Sequence, residues 1–467
     1  FVAATTARGI LAAPGVGASV NDVAVADFLA GISVDAEATF YDSVLRLPPG
    51  HILSVRPEGA SLARYWSPGG GDPWSGQDAG EEFAAIFEEA VRCRTAVDPA
   101  RTGVMLSGGL DSSSIAAVAA RQRATVGAAP IPAISMTFDS DPRWNERPYI
   151  EAVLAGGHLR SVVVPSERRD PVADIAALVD EQDWPEIAYN GGVSRQLYHA
   201  AAREGVAVLL DGHGGDEVVS QGEGLLNELA RAGRWRSLWT EARGIAAIQG
   251  GSTWGVVSPY ASHHRGVRRI RALASRLTRG ESASEPELAH PDLFARTDLA
   301  DRRRSSRRPL HARDSERDLH LAVMNGPMHA RAFEVLDKAA AAAGITPSYP
   351  FYDRRLVEFC LSLPAMAKLR GGLPRRVLRD AMTGVLAEAV RLRRDKFNFT
   401  QQMTGNMARA APRIRDLLTT NDRLAQFVNV PVVSTALDRL EAAGAAATPG
   451  DLRMVWHALA LALWLDR

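Results

Sequence analysis

The stretch Val104-Met-Leu-Ser-Gly-Gly-Leu-Asp-Ser-Ser113 concentrates groups that can handle an anion. Gly108 and Gly109 allow a tight turn and let backbone N–H groups come close to a phosphate. Ser107, Ser112 and Ser113 add hydroxyl donors, and a helix starting here presents its positive end. Asp111, in the middle of this loop, is out of place in a plain anion site. It makes sense if a divalent cation bridges it to phosphates. No Gly-Lys-Ser/Thr follows, so the loop is not of the Walker type. A helix cap alone would need one Ser, not this set. A second acidic turn, Leu209-Leu-Asp-Gly-His-Gly-Gly-Asp-Glu217, also follows an apolar strand-like run. If both turns close neighbouring strands they face one crevice, where Asp111 and Asp216 can share one Mg²⁺.

The surrounding pattern supplies such strands. Strand candidates Gly103–Leu106, Ile131–Phe138, Ser161–Val164 and Val206–Leu210 alternate with helices expected over Glu81–Thr95, Ser112–Arg123, Arg147–Ala155 and Val193–Glu204. That rhythm predicts an α/β fold with a doubly wound parallel sheet and additional helices. After residue 220 the pattern is mostly helical and the strands are lost. Residues 1–66 read as short strand-like pieces and turns, among them Phe1–Ala4, and 67–80 as a Gly/Pro/Ser-rich linker. Residues 81–467 then form the main domain.

Composition narrows the function classes. Lys+Arg and Asp+Glu are both 54, so the chain lacks the basic field of a general nucleic-acid binder. No signal peptide or long apolar stretch suggests a membrane partner. Cys93 and Cys360 form neither a disulfide framework nor a metal-ligand spacing, and fit a reducing, cytoplasmic setting. Only Lys338, Lys368 and Lys396 are lysines; the other basic residues are arginines. Lys338 and Lys368 read as surface residues.

The loop matches the Ser-Gly-Gly-x-Asp-Ser loop of ATP pyrophosphatases that cleave between the α and β phosphates. Together the two turns, Tyr349-Pro-Phe-Tyr-Asp-Arg-Arg-Leu-Val-Glu-Phe359, Leu361–Pro364, Val377–Met382 and Arg393-Arg-Asp-Lys396 resemble the asparagine synthetase superfamily. Leu47-Pro-Pro-Gly50 and Arg64-Tyr-Trp66 resemble the end of its glutaminase-like (Ntn) β-rich domain. The resemblance implies an adenine nucleotide α-hydrolase-like sheet and a reaction in which ATP adenylates a carboxylate, pyrophosphate leaves and an amine forms an amide. By the same token Ser107, Gly108, Gly109, Asp111, Ser112 and Ser113 hold pyrophosphate and metal, and Asp216 completes the Mg²⁺ site. Leu106, Met136 and Gly212 frame adenine and ribose through backbone contacts. Lys396 matches the lysine placed over the adenylate, where a cation stabilises the developing charge.

Three departures bear on the substrate. Asparagine synthetases usually have Glu at the place of His213, and β-lactam-forming relatives Tyr; a neutral His can take a proton from an incoming amine. As a plain loop donor the same His would have no such role. Glutamine-dependent members begin with a catalytic Cys, and neither Cys93 nor Cys360 can fill that place. Residues 220–330 diverge, an arrangement similar to the lasso peptide cyclases (macrolactam synthetases). That likeness implies a precursor or core peptide as substrate, its side-chain carboxylate joined to its own N-terminal amine. A leader-peptide recognition protein and a leader peptidase would be partners. The basic run Arg302–Arg308 then helps shape a peptide cavity, or is a solvated segment. Asparagine synthetase is the alternative within the superfamily, and a silent nucleotide-binding scaffold the alternative outside it.

Overall fold

Five short strands, four of them largely apolar, form one parallel sheet. A computed structural model describes residues 1–69, 73–76, 78–138, 145–165, 170–261, 287–306, 314–394 and 400–467. In chain order the first elements are α1 (Ala7–Leu11), α2 (Asp22–Ala30), the antiparallel hairpin β1 (His51–Arg56) and β2 (Gly59–Arg64), and α3 (Ala79–Thr95). The sheet region follows with β3 (Thr102–Met105), α4 (Leu110–Thr125), β4 (Ile131–Thr137), α5 (Arg147–Leu154), β5 (Leu159–Pro165), α6 (Pro171–Gln182), α7 (Gly191–Arg203), β6 (Val208–Leu210) and α8 (Gly215–Val219). The fifth strand, β7 (Thr346–Ser348), comes much later, before a small hairpin of β8 (Leu369–Arg370) and β9 (Leu373–Pro374). The expected strands and helices of residues 81–210 all form, each within two residues of the expected bounds.

The strand order is β5-β4-β3-β6-β7, all parallel. The chain builds outward from β3 and then returns to lay β6 on its other side. That reversal between β3 and β6 is the topological switch point, where open α/β sheets leave a crevice at their carboxyl ends. Period-two alternation covers both faces. Val104, Ala133, Val208 and Leu210 pack with Phe83 and Phe87 of α3, Ile115 of α4 and Ile150 of α5. Met105, Ile134 and Leu209 point the other way, onto Tyr198 and Ala201 of α7 and Ala339 of the helix Pro327–Ala342.

Three expectations need correction. Strands do not end at residue 220: β7 pairs with β6 at Val208↔Thr346. Phe1–Ala4 forms no strand, and α1 and α2 follow it instead. Phe28 and Leu29 of α2 join the core of α6 and the C-terminal helices, including Pro449–Leu465, which is buried almost all round. The third concerns lysines. Lys368 is fully buried, and half-buried Lys338 lies 3.5 Å from the Trp184 ring centroid while donating to the Gln182 carbonyl.

Of the basic run, Arg302–Ser306 lies in the helix Leu299–Ser306, and Arg307 and Arg308 fall outside the described residues. Arg302 donates from Nε to buried Asp27 at 2.8 Å, and Arg303 pairs with Glu287. Arg302 and Arg303 are thus anchored, while Arg304 and Ser305 are exposed.

Candidate functional site

Both acidic turns leave the sheet where the order reverses. β3 runs into Ser107–Gly109 and α4, and β6 into Asp211–Gly214 and α8. The turns touch. A Cβ on Gly215 would lie 2.3 Å from Asp111 Cγ, and one on Gly212 would lie 2.7 Å from the Ser112 nitrogen. Only glycine lets the second turn approach the first this closely. Within the loop, the Ser107 N–H donates to Ser112 Oγ at 3.1 Å and the two hydroxyl oxygens are 2.9 Å apart. No side chain caps the start of α4, whose positive end faces the cleft.

The cleft above this junction has a volume of about 400 Å³. Leu106, Ser107, Gly109, Asp111, Ser112, Met136, Gly212 and Asp216 all line it, so eight of the expected residues converge. Ile134, Phe138, Val193 and Leu197 give it an apolar wall suited to a flat base. Gly108 and Ser113 do not line it. Gly108 takes φ 75° against α5 and accepts from Arg393 through its carbonyl at 3.1 Å; Ser113 is fully buried beneath. Lys396 lies outside the described residues.

His213 turns away from the cleft lining. Its ring is among Phe333, Tyr349 and Tyr352, with centroids 5.6, 6.1 and 6.5 Å away, and its buried Nε2 has no hydrogen-bond partner. The His213 N–H donates to Asp211 Oδ1 at 2.9 Å. Burial raises the Asp211 carboxyl, partly offset by the His213 ring and that N–H. Tyr352 OH is 3.3 Å from His329 Nδ1, and burial lowers His329. For His329 that burial favours the neutral ring.

The sequence reading missed the residue that joins the two acids. Arg375 Nη1 lies 2.6 and 2.7 Å from the two Asp111 carboxylate oxygens and 2.9 Å from Asp216 Oδ1. Burial works against its charge, but Asp111 and Asp216 more than offset this and hold the guanidinium above its ordinary value. Its backbone has φ 53°, a left-handed conformation costing a non-glycine residue about 1–2 kcal/mol. Gln221 Nε2 donates to Asp216 Oδ1 at 2.7 Å. Arg393 pairs with Glu146 at 2.8 Å and lies over the Tyr149 ring. Arg379 also lines the cleft; burial, then Arg375, pull it down to about 10, which leaves it charged at neutral pH. Arg379 and Arg393 lie inside motifs already quoted, and Arg375 stands two residues before one. Those positions were the available signal.

Among the described residues, no three His, Cys, Asp or Glu side chains converge as a metal site. Two carboxylates do converge, closely enough for one nitrogen to touch both. Magnesium at nucleotide sites typically takes one or two carboxylates and completes its shell from phosphates and water. The donor set of Asp111 and Asp216 therefore fits it.

The chain is similar in sequence to known proteins. The family model described as "Asparagine synthase" matches residues 82–466. Asparagine synthetase [glutamine-hydrolyzing] 3 of Bacillus subtilis (strain 168) is 23% identical over 407 residues, covering 84% of this chain. The chain spans about 60% of that relative's length. An asparagine synthetase [glutamine-hydrolyzing] of Triphysaria versicolor is 27% identical over 185 residues, 37% of this chain and 30% of its own length. With the parallel sheet, the switch-point cleft and a family match over most of its length, the chain belongs to the asparagine synthase family.

Proposed function

We propose that the chain is an ATP-dependent amide-forming ligase that activates a carboxylate as its adenylate. The observation that carries this reading is the convergence of Asp111 and Asp216 from two strand-end turns beside the uncapped start of α4. A carboxylate oxygen of the donor attacks the α-phosphorus of ATP and pyrophosphate leaves. An amine then attacks the acyl carbon, AMP leaves, and the amine's extra proton passes to a base. Mg²⁺ held by Asp111 and Asp216 would offset phosphate charge.

This chain's residues have separable tasks. Ser107, Ser112 and the first amides of α4 bind the departing pyrophosphate. Leu106, Met136 and Gly212 border the base and ribose, while Ile134, Phe138 and Leu197 exclude water beside them. Arg379 and Arg393 set positive charge in the cleft lining. Lys396 stabilises charge on the acyl oxygen and leaving phosphate, and His213 takes the amine proton once its ring is reached.

For the substrate, we favour a peptide whose Asp or Glu side chain is joined to its own N-terminal amine, as in lasso peptide macrolactams. In support, the divergent region reaches the cleft itself, through Gln221 and Ile248. A precursor peptide, a leader-recognition protein and a leader peptidase are the partners this reading entails. Both relatives are named asparagine synthetase, which is the alternative reading, with free aspartate as its donor. ATP–pyrophosphate exchange separates the two. Stimulation by a peptide with Asp or Glu near its N-terminus supports the macrolactam reading, and stimulation by aspartate alone overturns it. Exchange with neither favours a silent scaffold.

A further inference from the structure

Arg375 occupies the position where two carboxylates would otherwise meet a divalent cation. One guanidinium nitrogen makes all three short contacts to Asp111 and Asp216, while its buried Nε has no hydrogen-bond partner. The side chain is thus held by charge and leaves a buried donor unsatisfied, which makes the grip strong but incomplete. Its backbone sits in the left-handed region, so the surrounding structure imposes this position against local preference.

What imposes it is the β8–β9 hairpin. Arg375 directly follows β9, and the hairpin turn at Gly371 and Gly372 is packed on the helix Trp235–Gln249. A Cβ on Gly372 would lie 2.1 Å from the Gly244 carbonyl carbon, and the Gly372 N–H donates to buried Glu241 Oε2 at 2.9 Å. The backbone of Arg375 is therefore fixed, and only its side chain can swing away from the acids.

We infer that Arg375 is a resident cation of the Asp111–Asp216 pair, and that a divalent metal ion and this guanidinium compete for the same carboxylate oxygens. In the nucleotide-free protein the guanidinium wins and keeps free metal out. Nucleotide phosphates supply both extra ligands for the metal and a new anionic partner for Arg375, so metal enters with nucleotide rather than before it. The metal site is coupled to nucleotide by one displaced side chain.

This inference rests on the reading that Asp111 and Asp216 hold a divalent cation. The probe is Mn²⁺ in the absence of nucleotide, followed by electron paramagnetic resonance. Arg375→Gln should bind Mn²⁺ about tenfold or more tightly than the wild type, because the competing charge is gone. Arg375→Lys keeps a cation and should remain weak, and Asp111→Asn added to Arg375→Gln should abolish the gain. Equal or weaker Mn²⁺ binding by Arg375→Gln overturns the proposal. If that variant fails to fold, thermal stability of the wild type decides. Mg²⁺ alone should leave the midpoint unchanged, and a clear rise with Mg²⁺ alone overturns the competition. The two readings fail separately: a gain in Mn²⁺ affinity without any ATP–pyrophosphate exchange would sink the ligase function and leave this competition standing.

Discussion

Replacing Lys368 with methionine should destabilise the protein far more than a surface lysine would. Lys368 is fully buried, with Nζ 2.9 Å from His320 Nδ1 and 3.4 Å from Glu316 Oε1. Glu316 is also buried, accepting from Ser220 Oγ at 2.6 Å and the Gly224 N–H at 2.9 Å. Those two donors cannot neutralise a carboxylate. Removing one member of a buried ion pair typically costs about 3–5 kcal/mol, because the other charge stays behind. Against a total stability of about 5–15 kcal/mol that is a large fraction. The double variant Lys368→Met, Glu316→Gln removes both charges and should regain most of the loss. Urea unfolding at pH 7, followed by circular dichroism, ranks the three proteins. The reasoning is refuted if Lys368→Met costs less than about 1 kcal/mol, or if the double variant is the least stable. There is a functional corollary: Ser220 ends the helix that carries Asp216, so loosening Glu316 should also loosen the Asp216 side of the cleft.

Other perturbations have equally definite signs. Gly215→Ala puts a methyl 2.3 Å from Asp111 Cγ, so nucleotide binding measured by calorimetry should weaken strongly while the fold persists. Stability should fall with acid through buried His320 and half-buried His457. Burial first, then Lys368 and Arg453 respectively, depress His320 and His457 to about 3, so both are neutral when folded and bind protons when unfolded. The stability is therefore complete above about pH 6.5 and declines between there and about pH 3. At pH 4.5 the loss is about 2–3 kcal/mol per histidine, and His457→Phe should flatten the profile by that amount; an unchanged slope argues against its burial as a neutral ring. Lys396→Ala should abolish amide formation with ATP binding largely intact, and Lys396→Arg should fail too, since a fork-shaped guanidinium does not replace a compact charge. Normal turnover by either variant removes the role assigned to Lys396.

How much of this could be read from the sequence depends on the range of the forces involved. Most elements of residues 81–210 were legible because their apolar periodicity is local, though α6 was not among those expected, and the loop at Ser107–Ser113 because its chemistry lies in adjacent residues. β7 was not, since Thr346-Pro-Ser348 is short, polar and carries a proline; only pairing with β6 makes it a strand. The N-terminal helices were missed because α1 and α2 depend on the C-terminal core they pack into. Arg375 is one arginine among many, and its role comes from a hairpin packed on a helix more than a hundred residues earlier. Lys368 looked like surface because lysines usually are; its partners Glu316 and His320 lie some fifty residues away. Among the described residues no helix is long and apolar enough to cross a membrane.

The central claim is that the cleft activates a carboxylate on the α-phosphorus of ATP. It is tested most directly with the donor that stimulates exchange, aspartate or an Asp- or Glu-bearing peptide, labelled with ¹⁸O in its carboxylate. The account predicts pyrophosphate and AMP carrying one ¹⁸O atom, detected by mass spectrometry. ADP with phosphate, or AMP without label, would contradict it.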